Sequence, residues 1–78
     1  MSPTLITSLR RIESLTAKLD DISRQRELAV AKAMDAGATW REIAESLGCS
    51  PQAAHHRYRW LRHNDKTGEV WHEGPLPL

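Results

Sequence analysis

The most informative stretch of the 78-residue chain is residues 39–58, which read TWREIAESLGCSPQAAHHRY. Thr39 and Glu42 have the spacing of a capping box, in which each side chain bonds a free backbone N–H of the first helical turn. Apolar residues follow at the spacing of one helical face, namely Trp40, Ile43, Ala44 and Leu47. Gly48 tolerates positive φ, and therefore predicts the end of a helix of barely two turns.

A second short helix is expected directly after this turn. Ser50 is a suitable cap, and Pro51 fits the first helical position because its missing N–H is not needed there. Ala54, Tyr58 and Leu61 give this second helix an apolar face. Small residues, Ala44 and Ala54, stand where two steeply crossing helices would touch. Cys49 is expected to turn inward as a small hydrophobe. The arrangement is typical of a helix-turn-helix over roughly Thr39 to Leu61.

A long helix is predicted to precede these two. Residues 4–36 contain neither Pro nor Gly, Ser2 and Pro3 form a plausible start, and Gly37 a plausible end. A continuous helix of this length would measure about 50 Å. Because that exceeds the width of so small a domain, part of it must project.

The projecting part has an apolar seam, which predicts self-association. The seam consists of Leu5, Leu9, Ile12, Leu15, Leu19 and Ile22. Arg26 interrupts it, and small apolar residues from Leu28 onward suit packing on the rest of the chain. The alternative is that the seam folds back on its own domain. Parallel and antiparallel pairing are both open.

The charge, the cysteine content and the lengths of the apolar runs limit the classes of protein to which this chain can belong. Formal net charge is only +1, and Cys49 is the sole cysteine, so an intramolecular disulfide and a four-cysteine zinc site are excluded. No apolar run approaches the about 20 residues that span a bilayer, and the N-terminus lacks the pattern of a signal peptide. We therefore expect a cytoplasmic protein that does not bind membranes.

The expected fold class is all-α. Residues 3–27 form a helical dimerisation segment, residues 28–62 a three-helix domain, and residues 63–78 an irregular tail, because Gly68, Gly74, Pro75 and Pro77 interrupt it. Trp71 is expected to pack onto the domain.

The run TWREIAESLGCSPQAAHHRY resembles the helix-turn-helix of bacterial and phage regulators of the trihelical, homeodomain-like kind. A similar pattern occurs in the promoter-reading domain of sigma factors. The resemblance covers residues 28–62, and the hallmark positions are Ile43, Ala44, Leu47, Gly48 and Ala54. The chain departs from the family's pattern at Arg57, where many members of the family carry an aliphatic residue. Tyr58 is expected to take over that packing.

The resemblance implies that the second helix lies in the major groove of double-stranded DNA. Its exposed side then supplies the candidate readers Ser50, Pro51, Gln52, His55, His56 and Arg59. Arg41, Arg57 and Arg62 are candidates for phosphate contacts, as are the amide N–H groups at the start of this helix. The chemistry agrees, because residues 51–63 contain three arginines, three histidines and no acid. Gln52 suits an adenine edge, and Arg59 suits guanine or phosphate.

Other chemistry is not expected. His55 and His56 are adjacent on a helix, about 100° apart, and cannot easily share one ion. We expect no metal, no cofactor and no enzymatic activity, since no nucleophile has a convincing base beside it. The functional interpretation is a homodimeric, sequence-specific transcription regulator. The alternatives are a phage or host adaptor, which docks on polymerase, a sigma factor or packaging machinery, and a non-specific architectural nucleoid protein.

Overall fold

The computed structural model describes residues 2–74 of the chain. Three helices are followed by two short strands: α1 (Pro3–Asp35), α2 (Trp40–Leu47), α3 (Pro51–Tyr58), β1 (Leu61–His63) and β2 (Val70–His72). The fold is therefore mainly α, with a small antiparallel sheet added after the third helix. Among the described residues, no helix combines the length and the apolarity that crossing a membrane requires.

Helix α1 begins and ends where its sequence predicts. The Ser2 hydroxyl accepts a hydrogen bond from the Leu5 N–H at 3.1 Å, and Pro3 occupies the first helical turn. At the other end Gly37 takes a φ of 92°, and its N–H bonds the Met34 carbonyl at 3.0 Å. The helix runs without a break for 33 residues and accounts for the 52 Å long axis of the molecule.

Helix α2 has both of its predicted ends, and helix α3 has its predicted start. Thr39 and Glu42 form the capping box of α2, and Gly48 ends that helix with a φ of 75°. The Ser50 hydroxyl caps α3 by accepting from the Ala53 N–H at 3.1 Å. Cys49 is exposed, so the expectation that it turns inward is wrong. Its N–H still bonds the Ala44 carbonyl at 3.0 Å, but the left-handed turn at Gly48 leaves its side chain in solvent.

The core lies where the end of α1, the two short helices and β1 meet. Its buried residues are Val30, Ala31, Ile43, Ala44, Ala54, Tyr58 and Leu61. Ala44 and Ala54 are 1 % and 0 % exposed, as expected of small residues at a helix crossing. Tyr58 is 1 % exposed whereas Arg57 is exposed, so Tyr58 does provide the packing at this turn of α3.

The pure all-α class and the irregular tail are wrong, because residues 61–72 form a β-hairpin. Its register pairs Leu61 with His72, Arg62 with Trp71 and His63 with Val70. Leu61 is buried, but it belongs to β1 and not to the preceding helix, which ends at Tyr58. Each strand has three residues, which is too short for an alternating pattern to be recognised in the sequence. Residues 75–78 of the predicted tail lie outside the described part of the chain.

The hairpin turns one face to α1. Directly paired residues of an antiparallel sheet lie on the same face. His63, on the inner face, lies between the carboxylates of Asp35 and Asp65, while His72 Nε2 lies 3.6 Å from Glu27 Oε2. Trp71 shares the outer face with Arg62 and is 43 % exposed, so the expectation that it packs onto the domain is wrong. Val70 takes that place beside the core.

Candidate nucleic-acid interface

Helix α3 has a buried side and an exposed side. Ala54 and Tyr58 point into the core. Gln52, His56 and Arg59 are all exposed, and their spacing of four and three residues places them along one line of the helix surface. Since successive helical residues are about 100° apart, this line lies roughly opposite the buried pair. Arg59 keeps helical dihedral angles as the C-cap residue, so it continues the line.

Aromatic rings contact residues both on this line and beside it. The rings of His55 and Trp40 meet edge to face with centroids 5.2 Å apart, which links α3 to the start of α2. The Arg57 guanidinium lies 5.2 Å from the centre of the Tyr58 ring, and that of Arg59 lies 5.5 Å from the centre of the Trp60 ring. Contacts of this kind are attractive for cations. They restrict the arginine side chains while leaving both residues exposed.

The start of α3 offers fewer free N–H groups than its sequence suggests. Pro51 has none. The Ala53 N–H bonds the Ser50 hydroxyl, and the Ala54 N–H bonds the Ser50 carbonyl at 3.0 Å. Of the amides in this first turn, that of Gln52 is the remaining donor for a phosphate. Ser50 itself is exposed, but its hydroxyl already serves the helix.

The two other predicted phosphate contacts lie outside α3. Arg41 is exposed in the first turn of α2. Arg62 is on β1, where its Nη1 donates to the Leu61 carbonyl at 2.9 Å and its Nε lies 3.9 Å from Glu73 Oε2. An acidic neighbour weakens the attraction of Arg62 for a phosphate. Arg62 is therefore a poorer candidate than Arg41 or Arg57.

The turn of the hairpin, which the sequence did not predict, lies beside the middle of α1, where residues 67–71 and Arg24 line one pocket. Lys66 is exposed in that turn, and its N–H bonds Asn64 Oδ1 at 2.9 Å. Gly68 closes the turn with a φ of 74°, and its N–H bonds the Asn64 carbonyl at 2.8 Å. The signal was an asparagine four residues before a glycine, since Asn folds its side chain onto nearby backbone and Gly takes positive φ.

Within residues 2–74, no group of three or more His, Cys, Asp and Glu side chains has an arrangement that could hold a metal ion. An apolar groove of about 350 Å³ lies between α1 and α2, lined by Ala29, Val30, Ala33, Ile43 and Leu47 among others. The groove lies beside the core, and two of its lining residues, Arg26 and Glu42, are titratable.

The apolar seam of α1 forms a second surface. Its six large side chains, Leu5, Leu9, Ile12, Leu15, Leu19 and Ile22, are between 42 % and 66 % exposed. No other segment within residues 2–74 covers them, so the described chain does not fold back on its own seam. A contiguous row of large aliphatic side chains on a projecting helix marks an interaction surface.

Comparison with known proteins gives no match: no protein-family model matches the chain, and no curated protein or solved structure is significantly similar to it. An assignment of function therefore depends on the geometry and chemistry of the two surfaces.

Proposed function

We propose that this chain is a sequence-specific, double-stranded-DNA-binding transcription regulator that acts as a homodimer at the nucleoid. In this proposal α2, the turn at Gly48 and α3 form a helix-turn-helix. One observation supports it above the others: Gln52, His56 and Arg59 form an exposed row on α3, while Ala54 and Tyr58 fix the opposite side in the core.

The proposed contact inserts the exposed row into the major groove, which is about 12 Å wide and admits one helix. Gln52 would bond an adenine edge, and Arg59 a guanine edge or a phosphate. Arg41 and Arg57 would hold backbone phosphates on either side, and the free Gln52 N–H would add a further phosphate contact. In this arrangement the main role of His55 is to position α3, because its ring contacts Trp40. Its part in reading bases is smaller.

The homodimer is supported by the uncovered seam of α1. Two DNA-binding heads on one dimer would contact two half-sites, whose centres lie about 34 Å or a multiple of that distance apart. Sequence specificity in such proteins comes from base edges, while phosphate contacts fix the register.

The test is duplex-DNA binding measured by fluorescence anisotropy over a series of salt concentrations. For the wild-type protein we expect affinity to fall steeply with salt, since each phosphate contact contributes about 0.9 to the slope of log K against log salt. Arg59→Ala should weaken binding by about 1–3 kcal/mol if the residue bonds a base. Arg10→Ala is the matched control, because Arg10 is an exposed arginine on α1, far along the chain from α3.

Three results would contradict the proposal. Binding that is weak even at low salt would favour the protein-docking adaptor. Equal affinity for every duplex sequence would favour an architectural protein. Equal losses of DNA affinity in Arg59→Ala and Arg10→Ala would show that binding depends on positive charge in general and not on α3.

A further inference from the structure

The seam of α1 has two flanks that differ in charge. Counting heptads from Leu5 places Leu5, Ile12 and Leu19 at position a, and Leu15 and Ile22 at position d. The flank at position g carries the cations Arg11 and Lys18. The flank at position e carries Leu9, Thr16 and Ser23, which are uncharged.

The acidic residues of this region do not compensate the cationic flank. Glu13 and Asp20 fall at position b and Asp21 at position c, farther round the helix from the seam. Asp21 is in addition held by Gln25, whose Nε2 donates to Asp21 Oδ2 at 2.8 Å. A helix that packs on the seam therefore meets positive charge on one side and no charge on the other.

We propose that two copies of α1 pair in parallel through the seam, so that both DNA-binding heads lie at the same end of the dimer. The inference rests on the proposed homodimer and deepens it by giving its orientation. In a parallel pair position g of one helix faces position e of the other. Arg11 then faces the partner's Thr16, and Lys18 faces the partner's Ser23, so no like charges meet along the seam.

Antiparallel pairing brings like charges together, because it places position g against position g. If Leu5 is matched with the partner's Ile22, Arg11 of each copy faces the partner's Lys18, and both contacts lie along the same flank of the pair. If the helices slide by one heptad, which brings Leu5 beside the partner's Ala29 at the apolar groove, Lys18 faces its own copy. Like charges in such neighbouring positions are destabilising.

The parallel contact is expected to end at Ile22. The next a position is Arg26, which is exposed and would meet its own copy. The helices would separate from there, and the long arginine side chains can turn outward to water. This separation leaves room for the two heads, since α2 packs on the part of α1 that follows Arg26.

Disulfide trapping distinguishes the two orientations. The variant carries Ser8→Cys in a Cys49→Ser background, so that the only thiol lies at an exposed d position of α1. In the parallel dimer the two thiols lie side by side, and mild oxidation should convert nearly all of the protein to a covalent dimer. In the antiparallel dimer with Leu5 matched to Ile22, the two Ser8 positions lie about 16 Å apart along the axis. A disulfide needs Cα atoms within about 7 Å.

Sedimentation and duplex binding of the reduced variant separate the possible failures. A noncovalent dimer that does not cross-link overturns the parallel orientation while leaving the homodimer intact. A monomer overturns the homodimer and the orientation with it. DNA binding is measured on the same sample, and its loss from a protein that is still dimeric would concern α3 and not the seam.

Lys18→Glu provides a second test of orientation. In the parallel dimer residue 18 faces an uncharged serine, so the dimer dissociation constant should change by less than about twofold. In either antiparallel register the substitution changes a repulsive contact, and the dissociation constant should shift clearly at low salt. A clear salt-dependent shift would therefore overturn the parallel arrangement.

Discussion

Thr39 and Glu42 fix the start of α2 by bonding each other's backbone. The Thr39 N–H donates to Glu42 Oε1 at 2.9 Å, and the Glu42 N–H donates to Thr39 Oγ1 at 3.1 Å. The Thr39 hydroxyl donates to the same carboxylate at 3.0 Å. The bond from the Thr39 backbone and then the bond from its hydroxyl lower the pKa of Glu42 below its ordinary value of 4.5.

This lowered pKa makes the capping box sensitive to acid. Because the folded pKa lies below the unfolded one, its contribution to stability is complete above the unfolded value and is lost as the pH falls through the folded value. We expect Thr39→Ala to raise the pKa of Glu42 part of the way towards 4.5, since one of its two hydrogen bonds remains. NMR titration of the carboxyl carbon measures this shift.

The control for that titration is Ser50→Ala, which removes the cap of α3 and should leave the pKa of Glu42 unchanged. A pKa of Glu42 that is the same in Thr39→Ala and in the wild-type protein would contradict the account of the capping box.

Tyr58 contains a buried hydroxyl that has no hydrogen-bond partner within residues 2–74. An unmatched buried polar group costs about 1–3 kcal/mol. We therefore expect Tyr58→Phe to leave the free energy of unfolding unchanged or to raise it by about 1 kcal/mol. Urea denaturation followed by circular dichroism measures the difference. A clear loss of stability in Tyr58→Phe would mean that the hydroxyl is bonded in solution.

The turn between α2 and α3 depends on the left-handed conformation of Gly48, whose φ is 75°. A Cβ atom at this position would meet nothing within 4 Å, so the cost of a side chain there is one of backbone conformation and not of collision. We expect Gly48→Ala to lower the free energy of unfolding by about 1–2 kcal/mol.

Gly74→Ala is the matched control for that substitution. A Cβ at Gly74 also meets nothing within 4 Å, but this residue does not have a positive φ. Its unfolding midpoint in denaturant should therefore equal that of the wild-type protein. Equal stability of Gly48→Ala and Gly74→Ala would contradict the role given to the turn.

The three helices could be predicted because their ends carry specific residues. Ser2, Thr39 and Ser50 cap the starts, and Gly37 and Gly48 follow the ends. The hairpin could not be predicted in this way. Its strands depend on their pairing with each other and on contacts from His63 and His72 to α1. These contacts join residues that are far apart in the sequence.

The candidate interface was predicted only in part. The exposure of Gln52, His56 and Arg59 follows from helical spacing once Ala54 and Tyr58 are known to be buried. The contact of His55 with Trp40 depends on how α2 crosses α3, and the bonding of Arg62 depends on the hairpin. Such details come from packing between elements, which periodicity does not describe.

Within residues 2–74 the molecule has a small core and a long helix, α1, whose apolar seam is uncovered. The seven buried core residues all come from residues 30–61, and a core of this size supplies limited stability on its own. The proposed dimer would bury the seam and add to stability, so the melting temperature should rise with protein concentration.

Substitution of Ile12 and Leu19 by lysine tests this claim. Each change removes burial worth about 1.5–3 kcal/mol and places charge in the seam, so the protein should become monomeric in sedimentation equilibrium. Thr7→Lys with Ser14→Lys is the matched control, because both residues lie at position c, away from the seam. The same mass for the seam variant and the wild-type protein would refute the seam as the dimer contact.

The central claim is that the exposed side of α3 binds double-stranded DNA, and NMR mapping of the bound surface tests it most directly. A short mixed-sequence duplex is titrated into the isotope-labelled protein at low salt, and backbone amide shifts are followed. The account predicts that the largest changes occur at Gln52, His56 and Arg59, with smaller ones at Arg41 and little change from Leu5 to Ile22. Changes confined to α1, or none at all with saturating duplex, would contradict it.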